Sequence, residues 1–399
     1  MRILHTADWH LGRTLEGRDR LPEQEAFIDE LCAIADDQGI QLVLIAGDVF
    51  DTVNPPAAAE ELYYDALARL ADYGRRRVIV IAGNHDSPDR LTAPQPLAER
   101  HGICLLGLPV QTGLRPLILP VPGSDEPAVV AALPYPSEAR LNEVLTAEAD
   151  EAALQKAYSD RVAEVFGALA RGFRPDAVRL AMSHLFVAGG KESDSERPLQ
   201  VGLASAVAPS GLPQGAHYIA LGHLHRPQTV HAAPSPARYS GSPLAYSFSE
   251  AGQAKSVVVV DAGAHREAKI EEIHLSAGRP LVRWKAEGGL PQVEAWCAAG
   301  RDANAWVDLE LHLTAPLTVD QIGRLRSMHP GIVAIRPVFP GEQEAAAAGE
   351  GRSRLPADEL FRRFYLQRIG AEPDEELVRL FVSLLAEDDG TEDAEDDAQ

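Results

Sequence analysis

An α/β fold is what this sequence predicts, on three observations. Short apolar runs rich in Val, Ile and Leu alternate with segments of helical periodicity through the first hundred residues. Such runs read as buried strands, and their alternation with helices implies parallel strands joined by right-handed crossovers. Clusters of Asp, Asn and His sit just past several of these runs. Side chains launched from neighbouring strand ends converge in space, and α/β folds place their chemistry there. Strand-like runs then lie closer together from about 117 to 136 and from 217 to 275, so the later part is rich in sheet.

The elements follow in order. Strand Arg2–His5 leads to a helix near Glu23–Asp37, where Ala26, Phe27, Leu31, Ile34 and Ala35 recur at helical spacing. Strand Leu42–Ala46 comes next, then a helix near Ala57–Tyr73 that starts after Pro55-Pro56, as prolines at a first turn allow. Val78–Ala82 is the third strand, and a helix lies near Arg90–Arg100. Further runs are Leu180–Met182, Tyr218–Leu221, Lys255–Asp261 and Ile270–Leu275. A second unit begins near Arg279 and reads strand (Leu281–Ala286), helix (Pro291–Ala299), strand (Ala305–Leu313), helix (Thr318–Met328), strand (Gly331–Val338). Alternation in Val307–Leu313 marks a half-buried strand with one wet face. Thr318-Val319-Asp320-Gln321 reads as a helix start with an acid in its first turn.

Residues Gly341–Arg354, with an alanine run, glycines and charges, read as a flexible linker. Beyond it, Pro356–Ile369 and Asp374–Leu385 have helical periodicity, carried by Leu360, Phe361, Phe364 and Tyr365 and then by Leu377, Leu380, Phe381 and Leu384. Two readings are open for these helices: docking on the body, or engaging a partner's helices in a groove-like mode. The division is therefore 1–278, 279–340, a linker 341–354, helices 355–386 and an acidic, solvating tail 387–399.

Bulk properties bound the class. A chain of 399 residues suggests two or three domains. No apolar stretch approaches the ~20 residues of a membrane span, and the N-terminus enters the first strand at once, which predicts no signal peptide. Cys32, Cys104 and Cys297 are isolated, which argues against a disulfide framework and for a reducing, cytoplasmic setting. The formal charge is −22, and eight acids between Glu387 and Asp397 account for only part of it. Such a chain repels nucleic-acid phosphates unless metals or a partner offset its field.

Five motifs, in order, carry the chemistry: Asp8-Trp9-His10, Gly47-Asp48-Val49-Phe50-Asp51, Gly83-Asn84-His85-Asp86, His184, and Gly222-His223-Leu224-His225. Taken singly, each has an ordinary reading: Asp48 as an Asx turn, Gly-His-Leu-His as a surface turn, His184 as a satisfied core histidine. Taken together they offer hard oxygen and imidazole donors without thiolates, a set suited to two Mn²⁺, Fe or Zn ions and not to a structural zinc site.

This ordered set resembles the calcineurin-like metallophosphoesterases. Gly47–Thr52, Gly83–Pro88 and Tyr239-Ser240-Gly241-Ser242-Pro243-Leu244 further resemble one branch of that superfamily, the SbcD-type nucleases. The resemblance implies a two-sheet metallophosphoesterase sandwich flanked by helices, a small α+β capping domain and C-terminal helices. It implies that Asp48 bridges two metals, with Asp8, His10 and His225 on one and Asn84, His184 and His223 on the other. His85 would be the catalytic residue, stabilising the phosphate or protonating the leaving oxygen, with Asp51 and Asp86 supporting the neighbouring side chains. At position 51 archaeal and eukaryotic relatives carry a catalytic His, so that role does not pass to Asp51.

The implied activity is a Mn²⁺-dependent DNA nuclease for repair and recombination, an exonuclease on duplex ends and an endonuclease on single strands or hairpins. The implied partner is an SbcC-type ATPase whose coiled coil is gripped by the C-terminal helices through Leu360, Phe361, Phe364, Leu377 and Phe381. A homodimer within a heterotetramer would pair through the helices near 57–73 and 90–100. There Tyr63, Leu67 and Leu70 form a stripe that either meets a second copy or packs on the body. The competing activity is a small-molecule phosphatase or cyclic-nucleotide phosphodiesterase. A different class of reading is a scaffold protein with a vestigial site.

Overall fold

A computed structural model describes residues 1–109, 114–137, 151–196 and 206–339, together with 358, 359, 361, 362, 365, 373–375 and 377–381. The described residues divide into two compact units, 1–310 with 318–336, and 311–317 with those from 337 onward.

The first sheet draws on β1 (Arg2–Thr6), β2 (Leu42–Ala46), β3 (Arg77–Ile81) and β4 (Ile103–Leu106). The second draws on β5 (Leu117–Leu119), β6 (Ala128–Leu133), β7 (Val178–His184), β8 (Tyr218–Gly222), β9 (Gln228–Thr229) and β10 (Ala237–Tyr239). Two later strands, β11 (Ser256–Gly263) and β12 (Arg266–His274), return to the first sheet, giving the orders β12-β11-β1-β2-β3-β4 and β5-β6-β7-β8-β10-β9. Strands β1 to β4 are mutually parallel, as are β6, β7, β8 and β10, while β5, β9, β11 and β12 pair antiparallel with their neighbours.

Successive side chains of a strand point to opposite faces, and this sorts the core into layers. Leu42, Leu44, Ile79 and Ile81 meet Val130, Leu180 and Met182 between the two sheets. Their neighbours Val43, Ile45, Val78 and Val80 face the helices α1 (Leu21–Asp37) and α2 (Ala57–Ala71), through Phe27, Leu31, Tyr63 and Leu67. On the far side, Val162, Val165 and Phe166 of a helix at Glu151–Ala170 pack on Ala131, Ala181 and Ile219. The result is the two-sheet sandwich between helix layers. Strands buried on both faces read as continuous apolar runs, as β2 and β3 do. The helix at Glu151–Ala170, not read from the sequence, buries a stripe of Tyr158, Val162, Val165, Phe166 and Leu169 at helical spacing.

One polar pair interrupts the inter-sheet layer: His5 Nδ1 lies 2.9 Å from Tyr218 Oη, both fully buried. Burial pushes the His5 imidazole down to about 3, so it stays neutral there. The stripe Tyr63, Leu67 and Leu70 is buried in the chain's own core. It packs on the body, and the side chains facing solvent nearby are Tyr64, Tyr73 and Leu97. The helix expected near Arg90–Arg100 is two short helices, Pro88–Thr92 and Gln95–Ala98, followed by a 3₁₀ turn.

Strands β13 (Leu281–Ala286), β14 (Trp306–His312) and β15 (Ile332–Val338) form a third sheet in that order, alternating with helices Gly289–Ala298 and Val319–Met328. The second helix opens with a capping box, Thr318 Oγ1 accepting from Gln321 N and Gln321 Oε1 from Thr318 N. The expected wet face of β14 is drier than alternation predicts. Asp308 is 3% exposed because the Arg283 and Arg336 guanidinium groups fold over its carboxylate.

Glu23 of α1 anchors the start of this segment. Its carboxylate accepts from the Arg279 backbone N (2.6 Å) and the Trp306 indole (2.9 Å), and it pairs with Arg20. The Arg279 guanidinium stacks 3.8 Å over the Trp306 ring.

In the second unit the described residues near the C-terminus contact one another. The Phe361 ring stacks on Phe381 with centroids 4.2 Å apart, and Arg362 pairs with Glu375 at 2.7 Å. Leu377 belongs to the same stretch, half-buried, while Leu360, Phe364, the linker 341–354 and the tail 387–399 lie outside the described residues.

Candidate metal centre

The parallel strands end at one place. Backbone pairing continues beyond β1 and β2, with Asp8 N donating to Gly47 O, His10 N to Asp48 O and Leu11 N to Val49 O, all near 3.0 Å. This zipper holds Asp8, His10 and Asp48 at φ of 56°, 46° and 49°, and His223 sits at 106° after β8. A non-glycine residue in such a region costs roughly 1–3 kcal/mol and persists only where its surroundings over-determine it. Glycines make the approach possible. A Cβ on Gly83 would overlap the Asp48 carboxylate, and one on Gly222 the Ala46 carbonyl. The strand ends of both sheets therefore close on a common point.

Asp48 occupies that point. Its Oδ2 lies 3.4 Å from His184 Nε2, 3.6 Å from His10 Nε2 and 3.9 Å from His85 Nε2, while Oδ1 accepts from His85 N at 2.9 Å. On one side, His10 Nε2 faces His225 Nε2 at 3.0 Å, with the Asp8 carboxylate beside them. On the other, Asn84 Oδ1 lies 3.0 Å from His184 Nε2 and 3.2 Å from His223 Nδ1. His223 and His225 are two apart yet face opposite sides, because the left-handed turn at His223 breaks the extended geometry that would align them. All seven of these side chains, and His85, thus meet in one cluster.

Outer nitrogens fix the imidazoles. His184 Nδ1 lies 2.9 Å from Ala46 O, His85 Nδ1 2.7 Å from Asp51 O, and His225 Nδ1 2.6 Å from Ser195 Oγ. In each case the Nδ1–H is engaged and Nε2 faces the cluster.

Burial dominates the electrostatics. It pushes His10 down to about 3 and lowers His225 and His223 as well, so all three are neutral. Burial raises Asp8 to about 8, and the charge of Asp48 adds to this although His184 works against it. Burial also opposes the charge of Asp48, but His184 and His10 outweigh it and hold that carboxyl well below the usual range. His184, lowered by burial, is carried up to about 9 by Asp48 and Asp8.

Asp86 closes the loops from β2 and β3. Its carboxylate accepts from Gly83 N (2.8 Å), Phe50 N (2.9 Å) and Val49 N (3.2 Å). Burial and the nearby Asp48 push it up to about 6, against those three donors. Asp51 Oδ1 lies 3.5 Å from His10 Nδ1 and 3.6 Å from Arg13 Nη1. Arg13, beside Asp51, His85 and Ser195, lines the open cleft of about 380 Å³ at the cluster's mouth. Sequence reasoning missed Arg13, Ser195, Glu196, Glu250 and Lys255. Ser195 and Glu196 sit in the polar run Lys191–Glu196, which has no motif, and Glu250 and Lys255 are far from any histidine in sequence. Tyr239–Leu244 does form part of the surroundings, with Ser242 N donating to His225 O at 3.1 Å.

The donor set fits divalent cations. Buried atoms here without a hydrogen-bond partner include Asp8 Oδ2, an acceptor open to a cation, the donor Asn84 Nδ2, and His85 Nε2, the last on a residue that lines the cleft. Imidazole nitrogens with carboxyl and amide oxygens, and no thiolate, suit Mn²⁺, Fe or Zn.

Comparison with known proteins agrees with this chemistry. The sequence model of the calcineurin-like phosphoesterase family matches residues 1–227, and one described as a type 5 capsule protein repressor C-terminal domain matches 277–368. The chain is 52% identical over 385 residues to the SbcD subunit of the nuclease SbcCD from Bacillus subtilis (strain 168), covering 96% of this chain and 97% of that protein. It is 30% identical to the protein of the same name from Escherichia coli (strain K12), over 96% and 98% of the two chains. Against that of Rhodobacter capsulatus it is 36% identical, over 75% and 76%.

Proposed function

The chain belongs to the calcineurin-like phosphoesterases and, within them, to the SbcD family, and from this we propose that it is the metal-dependent nuclease subunit of an SbcCD-type complex. The observation that carries the proposal is the identity to such subunits across 96% of the chain, through the cluster and well beyond it. A small-molecule phosphoesterase is disfavoured, because it would not account for likeness to nuclease subunits over residues 277–368. The direct test is cleavage of a linear duplex and a hairpin by the purified chain in Mn²⁺, with and without an SbcC-type ATPase. Chelation by EDTA should stop both reactions, and no cleavage under any of these conditions would refute the proposal.

In our assignment Asp8, His10 and His225 hold one divalent ion, Asn84, His184 and His223 the other, and Asp48 both. The geometry around Asp48 supports this, and Mn²⁺ fits the mixed oxygen and imidazole donors. Bound ions would supply Lewis-acid polarisation of the phosphate. The chain's own part falls to His85 and Asn84. With Nδ1 donating to the Asp51 carbonyl, a protonated His85 carries its second proton on Nε2, at the cleft. From there it can stabilise the phosphate or hand that proton to the leaving oxygen. The Asn84 Nδ2 hydrogens, otherwise unpartnered, are available to a phosphate oxygen.

His85→Ala should retain bound metal and lose about 10²–10⁴ of its rate on DNA. A nitrophenyl phosphodiester, whose leaving group needs no proton, should lose much less. Metal analysis by emission spectroscopy checks the first point, and a metal-depleted variant would make His85 a ligand instead.

We assign residues 279–340 as a capping domain and 355–386 as the element that binds the coiled coil of the ATPase. The cytoplasm is the compartment this reading requires, and the three unpaired cysteines suit it. Among the described residues no helix is long and apolar enough to cross a membrane.

A homodimer is supported by the groove of about 1150 Å³ beside α2, lined by Tyr64, Tyr73 and Leu97, with Tyr73 92% exposed. A C2 pair through this face would place two sites on one duplex. Light scattering should give twice the chain mass for the parent and the chain mass for Tyr73→Glu with Leu97→Glu. A monomeric parent at high concentration would exclude the dimer.

A further inference from the structure

Behind the cluster lies a closed set of buried groups that begins and ends on His225. The Ser195 hydroxyl, 4% exposed, lies 2.6 Å from His225 Nδ1 and donates to Glu250 Oε1 at 2.7 Å, with Ser193 Oγ at 2.8 Å as its other neighbour. Glu250 is fully buried and accepts further from Tyr246 N (3.0 Å) and Ser247 N (3.1 Å). Its second oxygen pairs with the Lys255 ammonium, which in turn donates to Ser242 Oγ (2.9 Å) and to the carbonyl of His225 (3.0 Å). The backbone N of His225 donates to Glu196 Oε1 at 2.8 Å. Every polar atom of His225 except Nε2 is thus held from behind, and Nε2 faces His10.

We propose that Ser195, backed by Glu250, is a positioning residue that sets the tautomer and orientation of His225 for metal binding. The chemistry follows from donor counting. A serine hydroxyl has one hydrogen, and with that hydrogen given to the Glu250 carboxylate its oxygen can only accept. The proton of neutral His225 is then confined to Nδ1, and the Nε2 lone pair is left for a cation. Carboxylate–histidine contacts of this kind usually tune metal ligands directly. Here Glu250 Oε1 is 4.0 Å from His225 Nδ1, and the hydroxyl fills the gap. Lys255 keeps the carboxylate ionised in a fully buried place, where an unpaired charge would be costly. The loop is also tied to the cleft, since Arg13 Nη2 donates to Ser195 O at 2.9 Å.

The inference rests on the assignment of His225 as a ligand, and its test separates the two. Calorimetric titration of the full chain with Mn²⁺ should show two binding events in the parent. In Ser195→Ala one event should weaken roughly ten- to hundredfold while the other keeps its affinity. The metal-free Ser195→Ala variant should stay folded and lose only modest thermal stability, because Glu250 retains three partners while His225 Nδ1 alone loses its own. Ser195→Thr, which keeps the hydroxyl, should restore the parent titration, and a Thr variant as weak as the Ala variant would count against the hydroxyl as the cause. Two events of parent affinity in Ser195→Ala, beside the loss of one in His225→Ala, would overturn the proposal. His225→Ala titrating like the parent would overturn the ligand assignment beneath it.

Discussion

Asp48→Ala is expected to abolish hydrolysis at any Mn²⁺ concentration and to leave the protein with little bound metal. Asp48 is the side chain that approaches both halves of the cluster, within 3.6 Å of His10 and 3.4 Å of His184. Its other oxygen holds the backbone of His85. Losing one preorganised electrostatic contact to a reacting centre typically costs about 10²–10³ in rate. Removing a carboxylate that our assignment gives to both ions should cost on the order of 10⁴ or more, beyond rescue by metal. The fold should survive, since β2 and the zipper to Asp8 rest on backbone hydrogen bonds and apolar packing. Emission spectroscopy for metal, circular dichroism for fold and a phosphodiester assay together check this. Full activity in the folded variant would defeat the two-metal assignment.

Deletion of Pro356–Leu385 should separate two functions. Binding to an SbcC-type ATPase should be lost in a co-purification assay, while the proposed metal centre, drawn from residues 8 to 225, is left intact. Hydrolysis of a small nitrophenyl phosphodiester should therefore persist within about twofold of the parent, since ordinary changes remote from a site add little. Cleavage of duplex ends should collapse. A chain with a formal charge of −22 has little electrostatic attraction for DNA of its own, and phosphate neutralisation supplies most of non-specific affinity. Undiminished duplex cleavage by the truncated chain without partner would place a DNA surface on the body. The stacked pair Phe361 and Phe381 makes the deletion a cleaner test than a single substitution, which would leave one ring without the other.

Much of the centre was legible because its motifs follow strands. Buried parallel strands announce themselves as apolar runs, and Asp8, Asp48, Asn84, His85, His184, His223 and His225 stand at or just past the ends of such runs. The sequence by itself determined which residues stand at these strand ends, the alternation that sorts Leu44 from Ile45, and the family they point to. Where each imidazole points was not legible. The opposite facing of His223 and His225 depends on one left-handed backbone angle, and the inward burial of Tyr63, Leu67 and Leu70 on how α2 lies on its sheet. Periodicity gives a helix an apolar stripe, but it does not say what that stripe meets. The support of His225 by Ser195, Glu250 and Lys255 lay furthest from reading. Those residues are 30, 25 and 30 positions away in the chain, brought together only when the β7 and β10 loops close on one strand end. Hydrogen bonds between such residues depend on fractions of an ångström in three dimensions, and tertiary packing alone sets that scale.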